Sequence, residues 1–178
     1  MRFGMGQAVA GAVVAAGLLA AQPAAAAFIV TNINANGGLA SGSFPSFTLR
    51  GGNLGNNQPG ETLYTDVFPL GGTMVFDWSY ASADFPGHDF AGYILDGVKT
   101  LLSFTNGQSG TGVVVNIAPG QSFGWYVATE DNIFGAGFLT VDATFREGEA
   151  IPEPATLALF AAGLLGLGLA RRRAASGN

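Results

Sequence analysis

The sequence predicts an all-β domain between residues 28 and 150, an antiparallel β-sandwich with a jelly-roll-like topology. Short apolar, β-branched and aromatic runs are separated by Gly, Asn, Pro and Ser, and no long stretch shows helical periodicity. Short strands joined by turns pair antiparallel, and about eight of them favour two packed sheets. This spacing of strands favours a jelly-roll topology over an immunoglobulin-like topology.

The clearest strand is Thr73 to Tyr80, because its aromatic and apolar side chains fall on alternate positions and so share one face. Seven further strands are predicted near residues 28–32, 61–68, 90–95, 99–104, 112–117, 122–129 and 138–145. The segment Asn34 to Gly60 is rich in Gly, Asn and Ser, which predicts long loops around one weak strand at Phe44 to Leu49.

Two turns have explicit chemistry. Asp96-Gly97 stands between two apolar runs and predicts a tight hairpin. Pro119-Gly120 predicts a type II turn, because glycine tolerates the positive φ that its second central position requires. Hairpins of this kind support the antiparallel arrangement.

The charge of the central region is strongly acidic. Between residues 28 and 150 the cations are Arg50, Lys99 and Arg146, against eleven carboxylates, so the formal balance is 3 minus 11, or -8. Phosphate binding needs a basic face, so nucleic acid is excluded as a partner class. The chain has no cysteine, which excludes disulfides, thiolate metal sites and cysteine nucleophiles.

Residues 1–27 have the pattern of a secretory signal peptide with a helical core. Arg2 precedes the uncharged run Ala8 to Ala21, which is shorter than the roughly 20 residues that a membrane span needs. Small residues then predict cleavage by signal peptidase after Ala26 or Ala27, two registers that the pattern does not separate. An uncleaved anchor helix is the alternative.

The C-terminal segment has a second, different hydrophobic pattern. Pro152, Glu153 and Pro154 precede a predicted transmembrane helix at 155–170, which the basic cluster Arg171, Arg172 and Arg173 follows; residues 175–178 form a short tail. Sixteen residues reach only about 24 Å as a helix, slightly less than the roughly 30 Å hydrocarbon core. Arginines after a span stay on the cytoplasmic side, which places the acidic domain outside.

This tail resembles the PEP-CTERM sorting signal of exported proteins of Gram-negative bacteria, over residues 151–174. The resemblance implies recognition by an exosortase, processing near Pro152 to Pro154, and a precursor anchored in the inner membrane that is then delivered to the cell surface or extracellular matrix. Two internal runs, Phe76 to Tyr80 and Asp131 to Gly135, resemble segments of β-sandwich ectodomains of PEP-CTERM proteins.

Catalytic patterns are weak. Gly120 to Gly124 matches G-x-S-x-G, but a strand pattern follows Ser122 where a nucleophile elbow needs a helix. His88, the sole histidine, follows Pro86-Gly87 and suits a loop, and Gly110 to Gly112 suits a turn and strand start rather than a dinucleotide loop. We therefore predict no enzyme activity and no organic cofactor.

Acidic loop residues form the one constellation that suggests a ligand. Asp84 and Asp89 fall in one loop, and Glu130, Asp131 and Asn132 in another, so their oxygens predict a calcium site where the two loops meet. Solvated turn residues are the alternative interpretation.

Aromatic side chains suggest a second kind of contact. Tyr80, Phe85, Tyr93 and Tyr126 are candidates for stacking on sugar rings, and core packing is the alternative for each.

Three functions follow from these patterns. The first is a non-catalytic exported surface or extracellular-matrix protein. The second is a calcium-assisted carbohydrate-binding module associated with extracellular polysaccharide. The third is a hydrolase that uses two carboxylates, such as Asp77 and Glu130.

Overall fold

The computed structural model describes residues 27–148 and 162–165. Within 27–148 the regular structure consists of β-strands. These are β1 (Ile29–Ile33), β2 (Leu39–Ser43), β3 (Ser46–Arg50), β4 (Gly60–Val67), β5 (Gly72–Ser82), β6 (Asp89–Leu95), β7 (Val98–Ser103), β8 (Ser109–Ile117), β9 (Ser122–Thr129) and β10 (Gly137–Glu147).

Most of the terminal predictions lie outside the described residues. These include the signal helix, Ala26, the motif Pro152 to Pro154 and the cluster Arg171 to Arg173. Of the predicted anchor helix, residues 162–165 are described and are helical and exposed. No helix within the described ranges has the length and apolar character to cross a membrane.

The strands form two five-stranded antiparallel sheets. Sheet A has the order β1-β4-β9-β6-β7, and sheet B has the order β2-β3-β10-β5-β8. From β3 to β10 the chain follows the strand order of a jelly roll, and β1 and β2 each add one edge strand. The predicted all-β sandwich and its jelly-roll-like topology are confirmed.

All predicted strands are present, and one strand was missed. β2 lies inside the segment that was expected to form loops, and it pairs with β3 at the edge of sheet B. Its residues, Leu39 to Ser43, are mostly exposed, so no alternation of apolar side chains marks them as a strand. Both predicted turns are confirmed: Asp96 and Gly97 have positive φ between paired Leu95 and Val98, and Gly120 has a φ of 82°.

The core lies between the two sheets and is rich in aromatic rings. Trp125 is fully buried and packs edge-on against Phe47, Phe76 and Phe123 at centroid distances of 5.0, 5.5 and 4.9 Å. Such edge-to-face pairs stabilise a core beyond the area that they bury. Tyr80 is buried in this core, and Tyr93 packs against it, so neither is placed to stack on a sugar from outside.

Antiparallel pairing gives the sandwich two distinct ends. The distal end comprises the loops at 34–38, 51–59, 83–88, 104–108 and 130–136, and the proximal end comprises the turns at 68–71, 96–97 and 118–121. Both ends of the described domain lie at the proximal end, where the Ala27 nitrogen donates to Asp66 (2.7 Å) and the Gly148 nitrogen to the Gly71 carbonyl (3.0 Å). β10 runs between the two ends, which are about 35 Å apart at about 3.3 Å per residue.

The outer faces of the two sheets differ in chemistry. On sheet B, exposed Thr140 and Asp142 of β10 pair with Ser79 and Asp77 of β5, which makes a polar surface. The outer face of sheet A is largely apolar. Its side chains include Leu63, Phe90, Ile94, Leu101 and Tyr126.

Candidate functional site

The distal end exposes large apolar side chains from four loops. Phe85 is 75 % exposed, Phe134 72 % and Phe104 51 %, and Leu54 is also exposed. Each of these residues comes from a different loop, so the sandwich frame brings them to one end. A group of exposed aromatic side chains is typical of an interaction surface.

Phe134 is held outward by an uncommon backbone conformation. Its φ is 63°, and its neighbours Asn132 (57°) and Gly135 (140°) also have positive φ. A bulky residue in this region is an outlier, and such conformations cluster at binding and switch regions. The loop therefore keeps an apolar ring in solvent at a local cost in conformational energy.

Asn132 connects the distal loops through hydrogen bonds. Its side chain is fully buried, and its amide nitrogen donates to the Asn34 and Gln58 carbonyls, both at 2.8 Å. Its backbone nitrogen donates to Thr129 Oγ1 at 3.0 Å. The amide of this predicted calcium ligand thus stabilises the loops at 34–38 and 51–59.

Asp84 and Asp89 lie in a buried polar layer that closes the distal end of the core. The Ser82 hydroxyl donates to Asp89 Oδ2 (2.7 Å) and accepts from the Asp84 nitrogen (3.1 Å). The Phe85 nitrogen donates to Asp84 Oδ1 at 2.6 Å. Asp84 Oδ2 and Asp89 Oδ1 are buried without a hydrogen-bond partner.

Burial shifts the titration of this layer. Asp89 is only 2 % exposed, and burial is the main reason that its pKa is raised. The charges of Asp84 and Asp131 raise the pKa further, and the hydrogen bond from Ser82 partly offsets the rise. The pKa of the Tyr80 hydroxyl is raised as well, first by burial and then by the charge of Asp89.

The two acidic loops meet through His88. Its Nδ1 lies 3.5 Å from Asp131 Oδ2 and 4.0 Å from Glu130 Oε2, and its carbonyl accepts from the Glu130 nitrogen at 2.8 Å. Asp131 Oδ1 accepts from the Ile133 nitrogen at 3.1 Å. Within residues 27–148 and 162–165, no three His, Asp or Glu side chains are grouped in the manner of a metal site.

The structure does not assemble the residues considered for catalysis. Ser122 begins β9 at the proximal end, whereas His88 hydrogen-bonds Glu130 beyond the distal end of that strand. The two ends of β9 are seven residues apart, so Ser122 and His88 are separated by about 23 Å. Asp77 lies on the outer face of sheet B, where its Oδ1 accepts from the Gly112 nitrogen (2.7 Å), and Glu130 follows sheet A.

Two exposed aromatic residues at the distal end were not predicted from the sequence. Phe85 was predicted as an exposed aromatic side chain, but Phe104 and Phe134 were not. Each is followed closely by glycine, Gly107 and Gly135, so a bulky apolar residue beside a turn former was the available signal.

Three comparisons with known proteins bear on the chain. The PEP-CTERM protein-sorting motif matches residues 150–173. Among curated proteins, none matches this sequence. Solved structures that resemble it include the native structure of a family 35 carbohydrate binding module from Clostridium thermocellum, at 15 % identity and a TM-score of 0.35, over 66 % of this chain and 98 % of that chain. So distant a likeness supports no inference about function.

The motif match agrees with the residues that suggested it. It includes Pro152 to Pro154, the apolar segment and Arg171 to Arg173. A motif of this kind indicates an exported precursor that is anchored at a membrane and sorted by an exosortase-type enzyme. Residues 150–173 of this chain are therefore a PEP-CTERM protein-sorting motif.

Proposed function

We propose that this chain is a non-catalytic protein of the cell surface or extracellular matrix that binds its partners through the distal loops. The observation that carries this proposal is the opposite placement of two features. The sorting segment continues from β10 at the proximal end, and the exposed aromatic residues Phe85, Phe104 and Phe134 lie at the distal end.

This placement supports display of the distal loops away from the membrane. The hydrogen bond from Gly148 to Gly71 fixes where the chain leaves the sandwich before the sorting segment begins. A membrane that holds the apolar segment therefore faces the proximal end. The distal loops then project about 35 Å outward, the length of one long strand.

A non-catalytic role is supported by the chemistry of the described residues. Within 27–148 the sole histidine, His88, pairs with Asp131 and lies far from Ser122, and Asp77 and Glu130 belong to different sheets. Positioned acid, base and nucleophile groups are the usual mark of an active site. The exposed rings of Phe85, Phe104 and Phe134 suit binding rather than catalysis.

Retention at the cell surface tests this function. We expect the double variant Phe85→Ser/Phe134→Ser to be exported and processed normally in an exosortase-bearing host, but to be recovered mainly in the medium, because its binding rings are gone. Val114→Ser, which changes an exposed apolar side chain on β8, is the matched control and should be retained. Equal retention of the double variant and the wild type would contradict the proposal.

Calcium at the distal loops is a second candidate, supported by the two unpartnered carboxylate oxygens of Asp84 and Asp89. Calcium takes oxygen ligands, and Asp131 lies close enough for its charge to raise the pKa of Asp89. Millimolar calcium should then raise the melting temperature, and Asp131→Ala should abolish that rise. A melting curve that calcium leaves unchanged would reject this candidate.

A further inference from the structure

A groove opens on the outer face of sheet A, beside the distal end. Its volume is about 490 Å³, which is within the range of small-molecule sites. The Gly87 nitrogen donates to the Phe104 carbonyl (3.2 Å), so two distal loops close its upper edge. The lining residues are Gly87, Phe90, Lys99, Leu101, Phe104 and Tyr126.

The floor of the groove is the ring of Tyr126. This residue points to the outer face of sheet A, yet it is only 3 % exposed. Its ring lies over Gly92 on the neighbouring strand, where a Cβ atom would come within 2.7 Å of Tyr126 Oη. Glycine at position 92 therefore lets the Tyr126 ring pack closely against β6.

The walls of the groove are aromatic and apolar. Phe90 packs edge-on against Tyr126, at a centroid distance of 6.5 Å and an interplanar angle of 77°. Leu101 and Phe104 are about half exposed at the opposite wall. Exposed rings around an apolar floor make a platform for another flat or ring-shaped group.

An ion pair lies over the floor of the groove and extends beyond its lining residues. Lys99 of β7 pairs with Glu61 of β4, and its Nζ stands 5.1 Å from the centre of the Tyr126 ring. Lys99 thus offers a donor within the groove, and Glu61 offers an acceptor next to it. Glu61 and the charge of -8 on residues 28–150, three cations against eleven carboxylates, disfavour an anionic ligand.

We propose that this groove binds a neutral sugar ring of a glycan, with its apolar face on Phe104 and Phe90 and its hydroxyl groups on Lys99 and Glu61. A pyranose ring has both surfaces that the groove offers: a C–H face that suits an aromatic ring and a rim of hydroxyl groups that needs donors and acceptors. An alkyl chain would leave the polar rim unused. The inference rests on the proposed function, because it gives a ligand class to the displayed end.

Calorimetric titration of the full-length chain tests the groove, in a zwitterionic detergent without a sugar headgroup. The probes are neutral hexasaccharides of glucose, galactose and mannose, with a uronic acid hexasaccharide for comparison. The wild type should bind at least one neutral probe in preference to the acidic one. Phe104→Ala should weaken that binding about tenfold, the scale of one lost aromatic contact. Phe138→Ala, an exposed phenylalanine on sheet B, should bind as the wild type does.

The results separate this inference from the function on which it rests. Sugar binding that Phe104→Ala and Lys99→Gln leave unchanged, or an absence of binding to every neutral probe, would overturn the groove assignment. Stronger binding of the uronic acid probe than of every neutral probe would also overturn the groove assignment. Surface retention that depends on Phe134 but not on Phe104 would support the proposed function and place its binding site outside the groove.

Discussion

Asp89 is the residue in which burial and charge conflict most directly. Its carboxylate is buried at the distal end, one of its oxygens has no partner, and its pKa is raised chiefly by burial. The folded state therefore holds the proton to a higher pH than the unfolded state does. Between the two pKa values the folded state binds more protons, so stability falls as the pH rises through that window.

Asp89→Asn should remove this loss of stability at higher pH. The amide oxygen keeps the hydrogen bond from Ser82, and no charge has to be buried. We expect the variant to gain about 1 kcal/mol of unfolding free energy relative to the wild type at neutral pH, and less near pH about 4. Urea denaturation across this range measures the difference.

Asp96→Asn is the matched control, because it changes an exposed carboxylate in the proximal hairpin. Its stability should vary with pH as that of the wild type does. If the unfolding free energy of Asp89→Asn depends on pH as that of the wild type does, the buried charge of Asp89 is not the cause of the pH dependence.

At the scale of single strands, the alternation of apolar and polar side chains was sufficient to predict most strands of sheets A and B. β9 and β10 were predicted closely because every second side chain of each faces the core. β2 was missed because it is an exposed edge strand. The groove was also missed, since Lys99, Gly92 and Tyr126 come together only through the register of three strands, which no local pattern contains.

The pairing of β5 with β10 yields a prediction about charge. Asp77 and Asp142 stand directly opposite each other on the exposed face of sheet B. Like charges in this position are destabilising, by roughly 0.2–1 kcal/mol. Asp142→Asn keeps an acceptor for the Ser46 hydroxyl, so it should raise the free energy of unfolding by that amount at low salt.

Salt provides the control for this pair. At about 1 M salt the repulsion is screened, so the gain from Asp142→Asn should largely disappear. Thr140→Asn, at a neighbouring exposed position of β10, should show no such dependence on salt. A gain that is equal at both salt concentrations would contradict the electrostatic explanation.

At the scale of the whole molecule, the sequence predicted the sorting motif but not the position of the exposed aromatic residues. The PEP-CTERM motif is a linear signal, so Pro152 to Pro154 and the arginine cluster were recognisable without a fold. The opposed ends of the sandwich depend on strand order. The distal position of Phe134 therefore became visible only in three dimensions.

The proposed function requires export followed by sorting at the C-terminal motif. The measurement that tests it most directly is intact mass with sequencing of both termini, on protein recovered from the outer surface of a host that has an exosortase. We predict a chain that begins at Ala27 or Phe28 and ends near Pro152 to Pro154. Surface protein that still carries Arg171 to Arg173 would contradict sorting with removal of the tail.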